Sequence, residues 1–208
     1  MTKLEQLPLT LNPLTVHSDY NIERDEPRPV VSDEALLSQI AGGDQEAFDD
    51  LYQRYSRLLY HYLFRLIGEP SEAEDLLQEV FMAVWRGAGG YRQRAQVKTW
   101  LYRIARNRAV SWLRQRKRLT AFEDLTQPSS EASLEEIVAE AYQNEQIRAA
   151  VNALPLKQRE VLELAFVHHL SYVEIAQIIG CPEGTVKSRV SYAIRALKGV
   201  LSRMNFSP

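Results

Sequence analysis

Apolar residues recur along this chain at three- and four-residue spacings, and no strand candidate exceeds a short apolar run. From Ser32 onward the stripe runs through Leu36, Leu37 and Ile40, then Phe48, Leu51, Tyr52, Tyr55, Leu58, Leu59, Tyr62 and Leu63. Pro70 and Ser71 interrupt it. Ser71 with Glu74 has the Ser-x-x-Glu spacing of a capping box, which predicts a new helix with Ala73, Leu76, Leu77, Val80, Phe81, Val84 and Trp85 on its core face. Gly87, Gly89 and Gly90 end that helix, and a further periodic stretch runs from about Val97 to Arg118.

Residues 119–132 lose the period and gain Pro128, Ser129 and Ser130, the composition of a linker. Ser133 with Glu136 is a second candidate capping box. Pro155 suits the first turn of the next helix, and the remainder reads as three short helices. Ser171 with Glu174 makes a third box, Gly180 can adopt the left-handed stop, and Pro182 starts the last helix, where Val186, Val190, Ile194, Leu197 and Leu201 face inward. The expectation is an all-α protein of two helical domains joined by a flexible acidic linker. Its parts are an arm at 1–31, a first domain at 32–118, a linker at 119–144 and a second domain at 145–203.

Composition adds boundaries. With 208 residues and 45% hydrophobic content the chain can fold two small cores. Its single cysteine, Cys181, excludes a disulfide framework and a Cys-rich zinc site, and fits a reducing compartment. No apolar run approaches the roughly 18 residues of a membrane span. The Pro-containing start lacks the features of a secretory signal, so a soluble cytoplasmic protein is expected.

The net charge of −2 conceals a polarised distribution. Arg92, Arg94, Lys98, Arg103, Arg106, Arg108, Arg114, Arg116, Lys117 and Arg118 follow one another without an Asp or Glu between them. From Leu119 to Gln146 the sign inverts, with Glu123, Asp124, Glu131, Glu135, Glu136, Glu140 and Glu145 and no Lys or Arg. A charge run is most often a solvated face. Here Tyr91, Trp100, Tyr102 and Trp112 are interleaved with the cations, which suits phosphate neutralisation combined with base stacking; Trp112 is better placed as a core residue. The acidic linker would lie against the basic block in the free protein and mask it, through Glu135, Glu136 and Glu140.

Leu170 to Lys198 reads as a helix-turn-helix with a Gly-Cys-Pro turn. Early residues of the second helix reach base edges in such units, here Glu183, Thr185, Lys187, Ser188 and Arg189, followed by Tyr192 and Arg195. Lysine and arginine there serve either guanine acceptors or phosphates, and the sequence does not apportion the two roles.

Three strings occur in order: Glu72-Ala-Glu-Asp-Leu-Leu-Gln-Glu-Val-Phe leading to Trp85, Thr99-Trp-Leu-Tyr-Arg-Ile-Ala-Arg-Asn, and Pro182-Glu-Gly-Thr-Val-Lys-Ser-Arg. With them the chain resembles the bacterial extracytoplasmic-function (group 4) sigma factors of the sigma-70 family over about residues 33–203. The resemblance implies an alternative sigma factor that binds core RNA polymerase, directs it to promoters, promotes melting and is controlled by an anti-sigma factor. It implies a region 2 domain at 32–118, in which Asp75, Gln78 and Glu79 meet the β′ clamp helices. Arg92, Arg94, Lys98, Trp100, Arg103, Arg106, Asn107 and Arg108 would meet the minus-ten element, Asn107 helping to capture a flipped base. A region 4 domain at 145–203 would read the minus-thirty-five element through Glu183, Thr185, Lys187, Ser188, Arg189, Tyr192 and Arg195, and touch the β flap. Tyr192 departs from the arginine that the family often has, and the arm has no counterpart in the shortest members.

No catalytic residue, metal site or cofactor is expected: His168 and His169 are adjacent and would point about 100° apart on a helix, and Cys181 lies in a turn. Two other readings compete. One is a conventional regulator that binds duplex DNA without polymerase, which the absence of receiver-like strand alternation disfavours. The other is a sigma-like decoy for an anti-sigma factor, disfavoured by the intact basic block.

Overall fold

The computed structural model describes residues 31–93, 95–120, 150–151 and 153–203. All regular elements among them are helical. Helix α1 (Asp33–Ala41) starts where the Ser32 hydroxyl accepts the Ala35 amide at 3.2 Å, and α2 (Gln45–Ile67) starts where the Asp44 carboxylate accepts that of Ala47 at 3.1 Å. Such caps satisfy amides that have no partner within the helix. Gly68, at φ 83°, closes α2 in the left-handed region.

Helix α3 (Pro70–Gly87) differs from expectation at its start. The Ser71–Glu74 capping box does not form; the N-cap is Glu69, and no side chain caps the helix. Pro70 is pre-set for the first helical position, so the helix begins before Ser71 and leaves that residue with helical backbone, where its hydroxyl cannot act as the cap. A short 3₁₀ turn, Ala88–Gly90, leads through a loop to α4 (Val97–Thr120). Helices α1 to α4 form a bundle around Phe48, Tyr62, Phe81, Trp85 and Tyr102, all among the largest fully buried side chains. Phe48 meets both Phe81 and Trp85 edge to face, at centroid distances of 6.0 and 5.3 Å, the arrangement that aromatic quadrupoles favour.

The second domain contains α5 (Leu156–Leu162), a π-helical turn over Glu163–Val167, α6 (Tyr172–Ile179) and α7 (Glu183–Arg203). The Ser171–Glu174 capping box is formed in both directions, and Gly180 takes the left-handed stop at φ 72°. Pro155 is the N-cap of α5 rather than part of its first turn. The last helix is not short: it runs for 21 residues, with Val186, Val190 and Ala193 buried along its first half, whereas Ile194 and Leu197, expected inward, are half-buried. The Ser133–Glu136 box, the linker glutamates Glu135, Glu136 and Glu140, and the arm up to Pro29 lie outside the described residues.

The two domains touch. Helix α4 packs on α2 and α3 with one side and on α6 with another, while α7 packs on α5 and α6. Among the described residues no helix is long and apolar enough to cross a membrane.

Candidate nucleic-acid interface

The basic run reaches α4 through the loop after α3. In that loop the Tyr91 hydroxyl donates to the Ala95 carbonyl at 2.5 Å, and the Tyr91 ring lies 5.5 Å from that of Trp100. Trp100 is therefore half-buried against the loop, and Arg92 is exposed. Gln93 sits at φ 53°, an uncommon conformation for a side-chain-bearing residue. Arg94 lies outside the described residues.

Helix α4 buries Val97, Leu101, Tyr102, Ala105 and Ala109, and its period then distributes the cations over three directions. Toward α3, Arg108 meets Glu79 at 3.3 Å and Arg116 pairs with Glu69 while lying 5.0 Å from the Trp112 ring. The Trp112 indole donates to Glu72 at 2.7 Å. Toward solvent stand Arg103, Asn107, Arg114, Lys117 and Arg118. Toward the second domain point Lys98, Thr99, Tyr102 and Arg106.

That third direction is filled by polar groups of the second domain. Arg106 Nε donates to Glu160 Oε1 at 2.6 Å, and the Tyr62 hydroxyl donates to the same oxygen at 3.3 Å. Lys98 Nζ donates to the His168 carbonyl at 2.9 Å, and the Thr99 hydroxyl to Glu174 at 3.5 Å. The Tyr102 hydroxyl and His168 Nδ1 are 2.7 Å apart. The ion pair is enclosed, with Arg106 20% and Glu160 4% exposed, so losing one partner while the other stays buried would cost about 3–5 kcal/mol.

Titration reflects this enclosure. Burial holds His168 down at about 4, helped by the charges of Lys98, His61 and His169. Burial also pushes Glu163 up, against the pull of Arg65 and Arg159, and lowers Arg159. Glu174 is pushed up by burial too, yet bonds from the Ser171 hydroxyl and amide, with Lys98 and Thr99, bring it below the usual carboxylate range. Glu163 Oε1 and His168 Nε2 lie 3.8 Å apart, and neither has a hydrogen-bond partner among the described residues.

On α3 the apolar row is wholly taken by the core, and Asp75, Gln78 and Glu79 stand exposed on the other face. These three therefore share one outward surface. On α7 the row Val186, Val190 and Ala193 is buried. Lys187, Ser188, Tyr192 and Arg195 are exposed, and Glu183, Thr185 and Arg189 are half-buried beside them. Glu183 receives a bond from Lys187 at 2.7 Å and raises the ammonium above its ordinary range. The Ser188 hydroxyl donates to the Gly184 carbonyl at 2.9 Å, and the Arg195 guanidinium lies 5.7 Å from the Tyr192 ring. All seven residues singled out on α7 thus belong to one helix whose buried side anchors it.

The minus-ten set is divided more than the sequence suggests. Arg92, Arg103, Asn107 and Arg108 are exposed, whereas Lys98 and Arg106 are engaged by the second domain. Glu160 and Glu163, which engage or surround them, escaped sequence reasoning, and His168, set aside there as one of two adjacent histidines, is buried against Tyr102.

Comparison with known proteins places both domains. Residues 43–119 match the family model described as Sigma-70 region 2, and residues 144–197 match Sigma-70, region 4. The chain is 31% identical over 173 residues to the ECF RNA polymerase sigma factor SigW of Bacillus subtilis, covering 78% of this chain and 92% of that protein. It is 35% identical over 181 residues to the ECF RNA polymerase sigma factor SigM of Mycobacterium tuberculosis, covering 84% of this chain and 87% of the relative. Among solved structures, it resembles the sigma factor RpoE from Bartonella quintana, seen in complex with the anti-sigma factor NepR. That likeness has a TM-score of 0.60 and 29% identity, over 74% of this chain and 96% of the other.

Proposed function

The chain belongs to the extracytoplasmic-function sigma factors of the sigma-70 family, and on that premise we propose a division of labour among its surfaces. As a sigma factor it binds core RNA polymerase and directs it to promoters. In our reading Asp75, Gln78 and Glu79 meet the β′ clamp helices. Arg92, Arg94, Lys98, Trp100, Arg103, Arg106, Asn107 and Arg108 serve the minus-ten element, and Glu183, Thr185, Lys187, Ser188, Arg189, Tyr192 and Arg195 the minus-thirty-five element.

The observation that carries the reading is the outward row of α4, where Arg103 and Asn107 stand one turn apart and exposed on a helix otherwise anchored in the core. An amide can pair with a base edge while neighbouring guanidiniums hold the backbone. Unstacking a base costs a few kcal/mol, and phosphate and stacking contacts offset it, so binding energy drives melting. The chain then acts as a non-catalytic subunit in the cytoplasm, and an anti-sigma factor controls it. The complex of the related RpoE with NepR supports that last step.

The test is run-off transcription from a promoter library with bacterial core polymerase, with and without this chain. New sequence-dependent starts are expected. A folded chain that binds duplex DNA alone, neither binds core nor creates starts, would overturn the proposal in favour of a conventional regulator.

A further inference from the structure

We propose that Tyr192 reads a thymine methyl group in the minus-thirty-five element, so that α7 selects one base pair there by apolar contact rather than by hydrogen bonding. The inference rests on the reading of α7 as the helix that enters that element. It names the chemical group that one side chain recognises.

Tyr192 is 58% exposed, more than any other large hydrophobic residue among those described. The buried row of Val186, Val190 and Ala193 leaves its ring on the outer side of the helix. Thr185, Ser188 and Tyr192 follow at intervals of three and four residues, so the ring shares a face with the early residues that reach base edges in such units.

What surrounds the ring decides its partner. Lys187, Arg189, Arg195 and Lys198 stand along the same helix against the single carboxylate of Glu183. An apolar protein surface gains little from a ring bordered by cations. Duplex DNA offers phosphates to the cations and, in its major groove, one apolar group to the ring, the C5-methyl of thymine. A-form RNA closes its major groove to side chains.

The neighbouring polar groups are already committed. Lys187 is held by Glu183 at 2.7 Å, and the Ser188 hydroxyl spends its proton on the Gly184 carbonyl at 2.9 Å. Three residues beyond the ring, the Arg195 guanidinium lies over it at 5.7 Å from the centroid. A cation on an aromatic face is held there by the ring quadrupole. The ring therefore meets DNA with one face occupied, and its edge and other face are left for a base.

Removing the methyl alone tests this. Core polymerase is combined with the full chain, and promoters are selected by run-off transcription from a randomised library. Each thymine of the selected minus-thirty-five element, on either strand, is then replaced singly by deoxyuridine, which pairs with adenine as before. At one position the replacement should weaken promoter binding by the parent holoenzyme about fourfold, the worth of one buried methyl group. Tyr192→Phe keeps the ring and should keep that loss. Tyr192→Ala should bind the thymine and deoxyuridine promoters alike and lose the selection for thymine at that position, with the thermal midpoint of the parent.

A parent holoenzyme insensitive to every deoxyuridine overturns the inference, as does an equal methyl effect in the parent and in Tyr192→Ala. Loss of the effect in Tyr192→Phe assigns the readout to the hydroxyl and overturns it too. If Lys187→Ala, Arg189→Ala and Tyr192→Ala all select the parent's upstream element, α7 does not read that element, and the assignment beneath the inference falls with it.

Discussion

Glu79 on α3 and Arg108 on α4 face each other at 3.3 Å, so a residue assigned to polymerase and a residue assigned to DNA neutralise one another in the free chain. The pair is open to solvent, at 55% and 46% exposure, and exposed pairs contribute at most about 1 kcal/mol to stability. Its value lies in coupling. In the proposed assignment, a polymerase cation that takes Glu79 releases Arg108 toward the promoter.

Glu79→Ala should accordingly leave the thermal midpoint within about 4 °C of the parent while weakening core binding roughly tenfold. Differential scanning fluorimetry and a core-binding titration read the two effects separately. A large fall in midpoint with unchanged core affinity would assign the residue to the fold instead.

Asn107 is exposed on a helix that the buried Ala105 and Ala109 anchor on either side of it. Asn107→Ala should lower the equilibrium for promoter opening by about 1–3 kcal/mol, the value of one good base contact, with core affinity and midpoint unchanged. Fluorescence of 2-aminopurine placed in the minus-ten element reads the opening. Equal opening by parent and variant defeats the assignment.

Two glycines of the second domain should respond to alanine with opposite signs. Gly180 stands at φ 72° with open space where a Cβ would go, so Gly180→Ala costs only the backbone term of about 1–2 kcal/mol. Gly184 lies in the first turn of α7, also facing open space and without a positive φ. Gly184→Ala should stabilise by up to about 1 kcal/mol. Urea melts of the full chain distinguish the two.

His168 makes the closed chain sensitive to acid. Its pKa falls from an ordinary 6.5 to about 4 on burial, so the unfolded chain takes up a proton before the folded one does. Stability is then full above about pH 6.5 and declines as pH drops toward 4, by on the order of 3 kcal/mol. Lys98 and Tyr102 on α4, His61 and Tyr62 on α2, and Glu163 and His169 nearby all face the ring. Glu163, raised by burial, has the opposite sign: its cost at neutral pH is relieved on protonation. The midpoint of the parent should therefore fall between pH 7 and 5, and fall less in His168→Gln. Parallel curves for the two chains would rule His168 out as the cause.

The helices were legible because each carries its apolar row at helical spacing, from Leu36 in α1 to Val190 in α7. The Ser171 cap and the Gly180 stop were legible for the same local reason. The Ser71 box was misread, since two start signals overlapped and proline, one residue earlier, set the backbone first. Of the interface, the exposed residues of α7 followed from its period alone. The closure of α4 did not. Glu160 meets Arg106 from 54 positions away and Tyr62 from 98, and in sequence a glutamate on a short helix looks solvated whether or not another domain covers it.

The π turn at Glu163–Val167 sets where the second domain meets α4. There the His168 amide reaches back five residues to the Glu163 carbonyl, at 3.1 Å, so the turn holds one residue more than an α turn of the same helix. The wide turn absorbs that residue locally and delivers His168, just past its end, to Lys98 and Tyr102 of α4.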